Sequence, residues 1–121
     1  MKIEAQTARV DFEEYLGDTL TMNFGYADEN GTLINLASST LYCYFSTQAT
    51  PTITTLTASS SNGGIIVGGY PYNIIVKVTA TAMSTIFTEG RYNYYLTVTD
   101  AFGDINTLVN GLITFKSRGI Q

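Results

Sequence analysis

Two short acidic turns hold the residues that come nearest to metal chemistry. Asp28 and Asn30 share one turn with the carbonyl of Thr32, and Asp100 precedes Asp104 in another. Calcium takes such oxygen ligands, but it needs about six to eight of them, and an EF-hand loop supplies a glutamate at its last position. Neither turn offers enough acids, and Asp and Asn are ordinary turn residues. We therefore expect turns at both places, and no bound metal or cofactor.

A second acidic group, Asp11, Glu13 and Glu14, lies near the N-terminus. Paired carboxylates can hydrolyse glycosides when they face each other across a cleft. Adjacent acids on one short segment are more typical of a solvent-exposed arm. The chain has no histidine, which removes the usual acid/base group and the commonest metal ligand. The serines have no neighbouring base that would make a nucleophile of them. The glycine pairs are not followed by the Lys-Ser/Thr of a phosphate loop. We therefore expect a protein that is not an enzyme.

Tyrosines are the most informative residues of this sequence, which has nine of them. Period-two alternation places Tyr42 and Tyr44 opposite Cys43, and Tyr95 opposite Tyr94. Tyr is enriched in interfaces because it brings a large contact area with a polar tip. Three interpretations stay open: a second layer of packing within the domain, a surface for a protein partner, or a glycan site, although the chain has no Trp. The candidate partner surface comprises Tyr42, Tyr44, Tyr70, Tyr72 and Tyr95.

The charge content limits the choice of partner. Charged residues make up 13% of the chain, against about 25% in typical domains, and the net charge is −4. The six basic residues are scattered, whereas proteins that bind nucleic acid cluster them. We therefore do not expect nucleic acid as a partner. Low charge leaves little repulsion between copies, so we expect self-association or many assembled copies.

The remaining bulk features predict a protein made in a cytoplasm. The single cysteine, Cys43, cannot form an internal disulfide and fits a buried strand position. No apolar run approaches the roughly 18 residues that would span a membrane. The N-terminus lacks the apolar core of a signal peptide.

The elements that must position these residues are short strands. Period-two alternation recurs, and turn residues separate the alternating segments. One short helix is expected at 79–87, with Thr79 or Thr81 as its N-cap, and a bulge or kink is expected at Asn110-Gly111. We predict an all-β antiparallel β-sandwich of about seven to nine strands in one domain, 1–121. Residues 1–16 form either the first strand or an arm that adds to a neighbour's sheet edge. The predicted strands are 19–27, 40–46, 53–57, 65–67, 72–79, 92–99, 105–109 and 112–115, with 33–36 as a short strand or extended corner.

Several motifs in this order resemble a known family. Residues 28–36 are similar to a "DG-x-P-x-DL" corner, residues 90–99 to a "G-x-Y-x-Y-D-L-x-L-T" strand, and residues 103–115 to a closing "G-x-x-x-x-L-L-x-G-x-I-x-V" segment. Over residues 15–116 the chain resembles the small immunoglobulin-like domains of tailed bacteriophages, such as the N-terminal domain of siphophage upper-baseplate proteins. Further matches are Gly17-Asp18-Thr19-Leu20, the strand at 41–45, Gly64-Ile65 and the turn at 79–87.

The resemblance implies that the all-β sandwich is immunoglobulin-like and that the chain is a virion structural protein with no catalytic residues. We expect a tail, baseplate or fibre adaptor that docks to other virion proteins. Decoration of the capsid surface is one alternative, and a host-glycan-binding module is another. Assembly would proceed through sheet-edge pairing and tyrosine-rich faces.

Overall fold

Alternating apolar residues give this chain two packed β-sheets. The computed structural model describes residues 2–3, 8–28, 30–48, 54–68 and 72–116. Ten strands and one helix occur within those ranges, and eight of the strands have three or more residues. In chain order they are β1 (Lys2–Ile3), β2 (Ala8–Arg9), β3 (Phe12–Tyr15), β4 (Leu20–Tyr26), β5 (Thr40–Thr47), β6 (Thr54–Ser59), β7 (Ile65–Val67), β8 (Ile74–Val78), α1 (Ala80–Ile86), β9 (Gly90–Thr99) and β10 (Ile105–Lys116).

The strand order is that of an immunoglobulin-like sandwich. The smaller sheet runs β1-β4-β8-β7, and the larger runs β10-β9-β5-β6, with β2 and β3 both paired to the outer edge of β10. These orders correspond to the A-B-E-D and G-F-C sheets of immunoglobulin domains, with one further strand beside C. The predicted fold class is therefore confirmed. The inter-sheet disulfide of antibody domains has no counterpart, because Cys43 is the single cysteine.

The core lies between the sheets, where the period-two patterns meet. Along β4 the buried residues alternate with exposed ones, and along β5 the side chains of Leu41, Cys43 and Phe45 are fully buried. Phe12 of β3 packs against Phe24 and against Tyr94, with ring centroids 6.0 and 5.8 Å apart. The first strands thus join the same core as the central strands.

Helix α1 connects the sheets as its sequence predicts. The Thr79 hydroxyl accepts a hydrogen bond from the backbone N–H of Ala82 at 3.2 Å, which confirms Thr79 as the N-cap. Met83 is buried beneath the helix. Beyond the helix, the N–H of Thr88 donates to the hydroxyl of Tyr92 at 3.2 Å. A tyrosine near the start of this strand that bonds to the preceding turn is a feature of immunoglobulin folds.

The N-terminal segment differs from a purely antiparallel arrangement. β2 and β3 pair with β10 in parallel, and β1 pairs with β4 in parallel. Within the isolated chain, residues 8–9 and 12–15 therefore serve as first strands of the larger sheet. Whether they exchange with a neighbour, the alternative expectation, stays a prediction.

The irregularity in the last strand is not where the sequence predicted it. β10 is continuous, and the register with β9 shifts between Thr107 and Val109 instead of at Asn110-Gly111. Leu108 and Val109 are consecutive yet both buried, because a bulge lets two successive side chains point inward. Gly111 has another role: a Cβ there would overlap the carbonyl oxygen of Val10.

Two other predicted features are now defined. Of the two alternatives for residues 33–36, the structure shows the extended corner, with a single bridge between Leu33 and Ala27. The strand expected at 53–57 runs from Thr54 to Ser59, and residue 53 lies outside the described residues.

Candidate interaction face

Three tyrosines lie together on the outer surface of the larger sheet. Tyr42 and Tyr44 come from β5 and Tyr95 from β9, and backbone pairing places Tyr44 directly opposite Tyr95. The ring centroids of Tyr44 and Tyr95 are 4.8 Å apart. Those of Tyr42 and Tyr44 are 5.9 Å apart, with 15° between the ring planes. We call this cluster the tyrosine face.

Strand alternation explains why these rings point outward. Their neighbours Cys43, Phe45 and Tyr94 are buried in the core, so every second residue must face the other side. Tyr42 and Tyr44 are half-buried against each other, and Tyr95 is 40% exposed. The sequence predicted that these rings lie on the strand faces opposite Cys43 and Tyr94, and the structure confirms this for all three residues.

The close packing of the rings changes the acidity of the central phenol. Burial raises the pKa of Tyr44 above its ordinary value of 10.0, and the neighbouring phenols of Tyr95 and Tyr42 raise it further. The phenol of Tyr44 therefore stays a neutral hydrogen-bonding group at physiological pH. Such a surface combines apolar area with polar tips, as interface tyrosines do.

A depression of about 460 Å³ adjoins Tyr95. Arg9 supplies its charged group, and the amides of Asn93 and Asn110 supply polar ones. Its lining contains no acidic residue; the full set is Arg9, Ser46, Asn93, Tyr94, Tyr95, Thr107, Asn110 and Gly111.

The charge on this side of the molecule differs from that of the whole chain. The three central strands of the larger sheet, β5, β9 and β10, contain no Asp or Glu, but they do contain Arg91 and Lys116. The chain as a whole carries a net charge of −4. Its acids therefore lie in other strands and in the connecting segments, and at the edge of the larger sheet Glu13 and Asp11 pair with Lys116 and Arg9.

The other two tyrosines predicted for the partner surface do not join this cluster. Tyr72 is 38% exposed and precedes β8 of the smaller sheet. Tyr70 lies outside the described residues. The structure thus brings together Tyr42, Tyr44 and Tyr95, but not Tyr72.

The two acidic turns use their carboxylates for the backbone. Asp28 Oδ1 accepts hydrogen bonds from the N–H groups of Asn30 and Thr32 at 2.9 and 3.0 Å. Asp100 Oδ1 accepts in the same way from Phe102 and Asp104, also at 2.9 and 3.0 Å. Each turn places a glycine, Gly31 or Gly103, at positive φ. Turn formation accounts for both aspartates, and no group of three or more potential metal ligands occurs in the part of the chain that the structure describes.

The N-terminal acids also have structural partners. Asp11 Oδ1 accepts from the N–H of Leu112 at 3.0 Å, taking the place of a backbone carbonyl where β2 and β3 are interrupted. Glu13 pairs with Lys116 at 2.9 Å on the surface, and Glu14 accepts from the N–H of Tyr15 at 3.0 Å. The contacts of Asp11 and Glu13 tie the first strands to β10, whereas that of Glu14 is local to β3.

The sequence predicted the turn between β9 and β10, but not that apolar side chains of this hairpin are exposed. Phe102 is 91% exposed and Ile105 is 68% exposed. One sequence signal for this exposure was available. Phe102 lies inside a five-residue turn whose formation requires only the Asp and the Gly.

These features define an immunoglobulin-like β-sandwich module with an exposed tyrosine face. No family model matches the chain, and no curated protein does. Among solved structures, it is similar to the fibronectin(III)-like modules of Clostridium thermocellum CbhA (10% identity, 96% of this chain and 95% of that chain covered, TM-score 0.45). CopC from Methylosinus trichosporium OB3b is 12% identical (95% and 88% covered, TM-score 0.45). Murine CRIg is 9% identical (90% and 92% covered, TM-score 0.43). Within the described residues, no helix is long and apolar enough to cross a membrane.

Proposed function

We propose that this chain is a non-enzymatic structural module of a tailed-bacteriophage particle that docks to other virion proteins through the tyrosine face. The observation that carries the proposal is the Tyr42–Tyr44–Tyr95 cluster, which leaves aromatic surface outside the core. The motif resemblance over residues 15–116 supports the particle context. Within that context we favour a tail, baseplate or fibre adaptor over a capsid decoration protein.

The chemistry of the face supports docking rather than catalysis. Tyr95 keeps 40% of its surface exposed beside a neutral ring, and large aromatic side chains supply most of the binding energy in protein interfaces. The acids that might have served catalysis, Asp11 and Glu13, are bound to Leu112 and Lys116. Low net charge on the three central strands allows close approach of a partner without a large desolvation cost.

Locating the chain on particles tests the biological context. Particles from phage that encodes the chain would be separated into heads and tails, and the chain quantified in each by mass spectrometry. A few symmetric copies with the tails support the adaptor. Hundreds of copies with the heads identify a capsid decoration protein instead. Absence from both fractions contradicts a virion role.

Variants of the face test the docking surface itself. We expect Tyr95→Ala to abolish incorporation while leaving the unfolding midpoint nearly unchanged, because the ring is outside the core. Tyr72→Ala is the matched control, since that tyrosine is similarly exposed but belongs to the other sheet. Equal incorporation of the two variants contradicts docking through this face.

A glycan-binding module is the second candidate. The nearly parallel rings of Tyr42 and Tyr44 lie on the same sheet as the Asn93 and Asn110 amides, and sugars are held by stacking together with amide hydrogen bonds. The isolated domain would then bind cell-wall or capsule polysaccharide, and Tyr42→Ala or Tyr44→Ala would abolish that binding without lowering stability. Retained binding in both variants removes the reason for placing a glycan here.

A further inference from the structure

The β9–β10 hairpin projects beyond the sheet that supports it. Thr99 is the last residue of β9, and it pairs both with Thr40 of β5 and with Ile105 of β10. The turn at 100–104, here called the hairpin tip, therefore extends past the last paired residues. Residues 101–107 are all exposed. Phe102, at 91% exposure, is the most exposed large apolar side chain among the described residues.

The tip is held rigidly by its own hydrogen bonds. Asp100 Oδ1 accepts from the N–H groups of Phe102 and Asp104. The backbone N–H of Asp100 donates to the carbonyl of Asp104 at 3.0 Å, and that of Gly103 donates to the carbonyl of Asp100 at 3.1 Å. A side chain displayed on such a preorganised turn loses little conformational entropy when it binds.

The second acidic turn shows that Phe102 is not needed to build this structure. The turn at 28–32 has the same bonds, from Asp28 Oδ1 and from the Asp28 and Gly31 backbone. It carries Asn30, a polar residue, at the place of Phe102. Turn geometry therefore leaves this position free, so Phe102 is available as a contact residue without a role in building the turn.

A receiving site of complementary character exists on the same chain. The depression beside Tyr95 measures about 460 Å³, within the range of concave sites that hold ligand-sized groups. The Tyr95 ring offers an aromatic wall for Phe102. The tip carries two acids, Asp100 and Asp104, whereas the depression carries Arg9 and no acid.

Arg9 has capacity for a further carboxylate. Its Nε lies 3.6 Å from Asp11 Oδ1, and its side chain is 64% exposed. A guanidinium has five N–H donors in a planar fork, and among the described residues the contact with Asp11 at 3.6 Å engages only one of its nitrogens.

The tip and the depression of one copy cannot meet, because both belong to one hairpin. The nearest lining residue, Thr107, is about 10 Å from Asp104 along the strand and Asn110 about 20 Å, at roughly 3.3 Å per residue, and an extended strand does not fold back over that distance. We propose that copies of this chain associate by inserting Phe102 of one copy into the depression beside Tyr95 of another, with Asp104 reaching Arg9. This interaction goes beyond the proposed function, since it concerns pairing between copies and not attachment to other virion proteins.

Sedimentation velocity of the purified protein over a range of concentrations tests the proposal. We expect concentration-dependent association that weakens as salt is added, because charge pairs at such a contact are screened. Phe102→Ala should weaken it roughly tenfold or more, as the loss of a central aromatic anchor does. Asn30→Ala, at the equivalent position of the other turn, is the matched control and should leave association unchanged.

Charge reversal identifies the receiving site. Arg9→Glu alone and Asp104→Arg alone should each associate weakly, while a mixture of the two variants should form a heterodimer, because the reversed tip fits the reversed depression. A wild-type protein that stays monomeric at all concentrations overturns the proposal. So does association that Phe102→Ala and Asn30→Ala affect equally. Neither result bears on particle fractionation, which tests the proposed function separately.

Discussion

The buried amide of Asn73 connects two segments that lie far apart in the sequence and that no sequence pattern links. Asn73 is only 3% exposed, and its side chain makes three hydrogen bonds. Oδ1 accepts from the N–H of Tyr26 at 2.7 Å, and Nδ2 donates to the carbonyls of Tyr26 and Ile34 at 3.0 and 2.9 Å. The amide thus fixes the corner after β4 to the segment that precedes β8.

Asn73→Ala should lower the free energy of unfolding by about 2–4 kcal/mol, since each buried hydrogen bond contributes roughly 1 kcal/mol and unpaired groups cost more. The carbonyl of Tyr26 keeps a second donor, the N–H of Ile34 at 2.9 Å. The N–H of Tyr26 and the carbonyl of Ile34 therefore account for most of the loss. For a domain of this length, the melting temperature should fall by roughly 10 °C.

Urea unfolding followed by tyrosine fluorescence measures this change. Asn35→Ala is the control, because Asn35 is exposed and its Oδ1 accepts one hydrogen bond, from Ala37 at 2.9 Å; it should cost less than about 1 kcal/mol. The denaturant dependence should be the same for wild type and both variants. If Asn73→Ala is no more destabilised than Asn35→Ala, the assignment of Asn73 as the link is refuted.

Three further predictions concern the core and the first strands. Gly111→Ala should cost about 2 kcal/mol or more by urea unfolding, because its Cβ would overlap the Val10 carbonyl; a loss below about 0.5 kcal/mol contradicts that close approach. Cys43 should react with a thiol reagent only in denaturant, since burial raises its thiol pKa and blocks access; rapid labelling of the folded protein would show otherwise. Burial, with smaller effects of Cys43 and Asp11, raises the pKa of Tyr94 above 10.0, so the folded state holds this proton longer and stability should fall as pH rises above about 10. Tyr94→Phe should flatten that decline and also lose the 2.6 Å bond from Tyr94 to Val10; an unchanged alkaline profile in this variant contradicts the assignment.

Local patterns predicted much of the fold because they act within a few residues. Alternation in β4, β5 and β9 predicted which side chains face the core, since successive strand residues point to opposite faces. Thr79 predicted the start of α1 because an N-cap needs only the next few backbone amides. Asp28 and Asp100 predicted turns for the same reason, and their bonds do not extend beyond the turns.

Other features could not be predicted from local patterns. The bulge at Leu108 depends on how β10 fits β9, and the role of Gly111 depends on the path of a strand about a hundred residues earlier. The Asn110-Gly111 pair suggested a bulge because such dipeptides also form turns. Phe102 was missed because exposure of a loop residue depends on how far the neighbouring strands extend.

The tyrosine face shows where the two kinds of information divide. By itself the sequence determined that Tyr42 and Tyr44 lie opposite Cys43 and that Tyr95 lies opposite Tyr94, because that follows from a period of two within each strand. Only the tertiary structure decided that Tyr44 lies opposite Tyr95 and that Tyr72 belongs to the other sheet. Partner and register depend on contacts between distant segments, which the free energy of the whole packed core selects and no short pattern encodes.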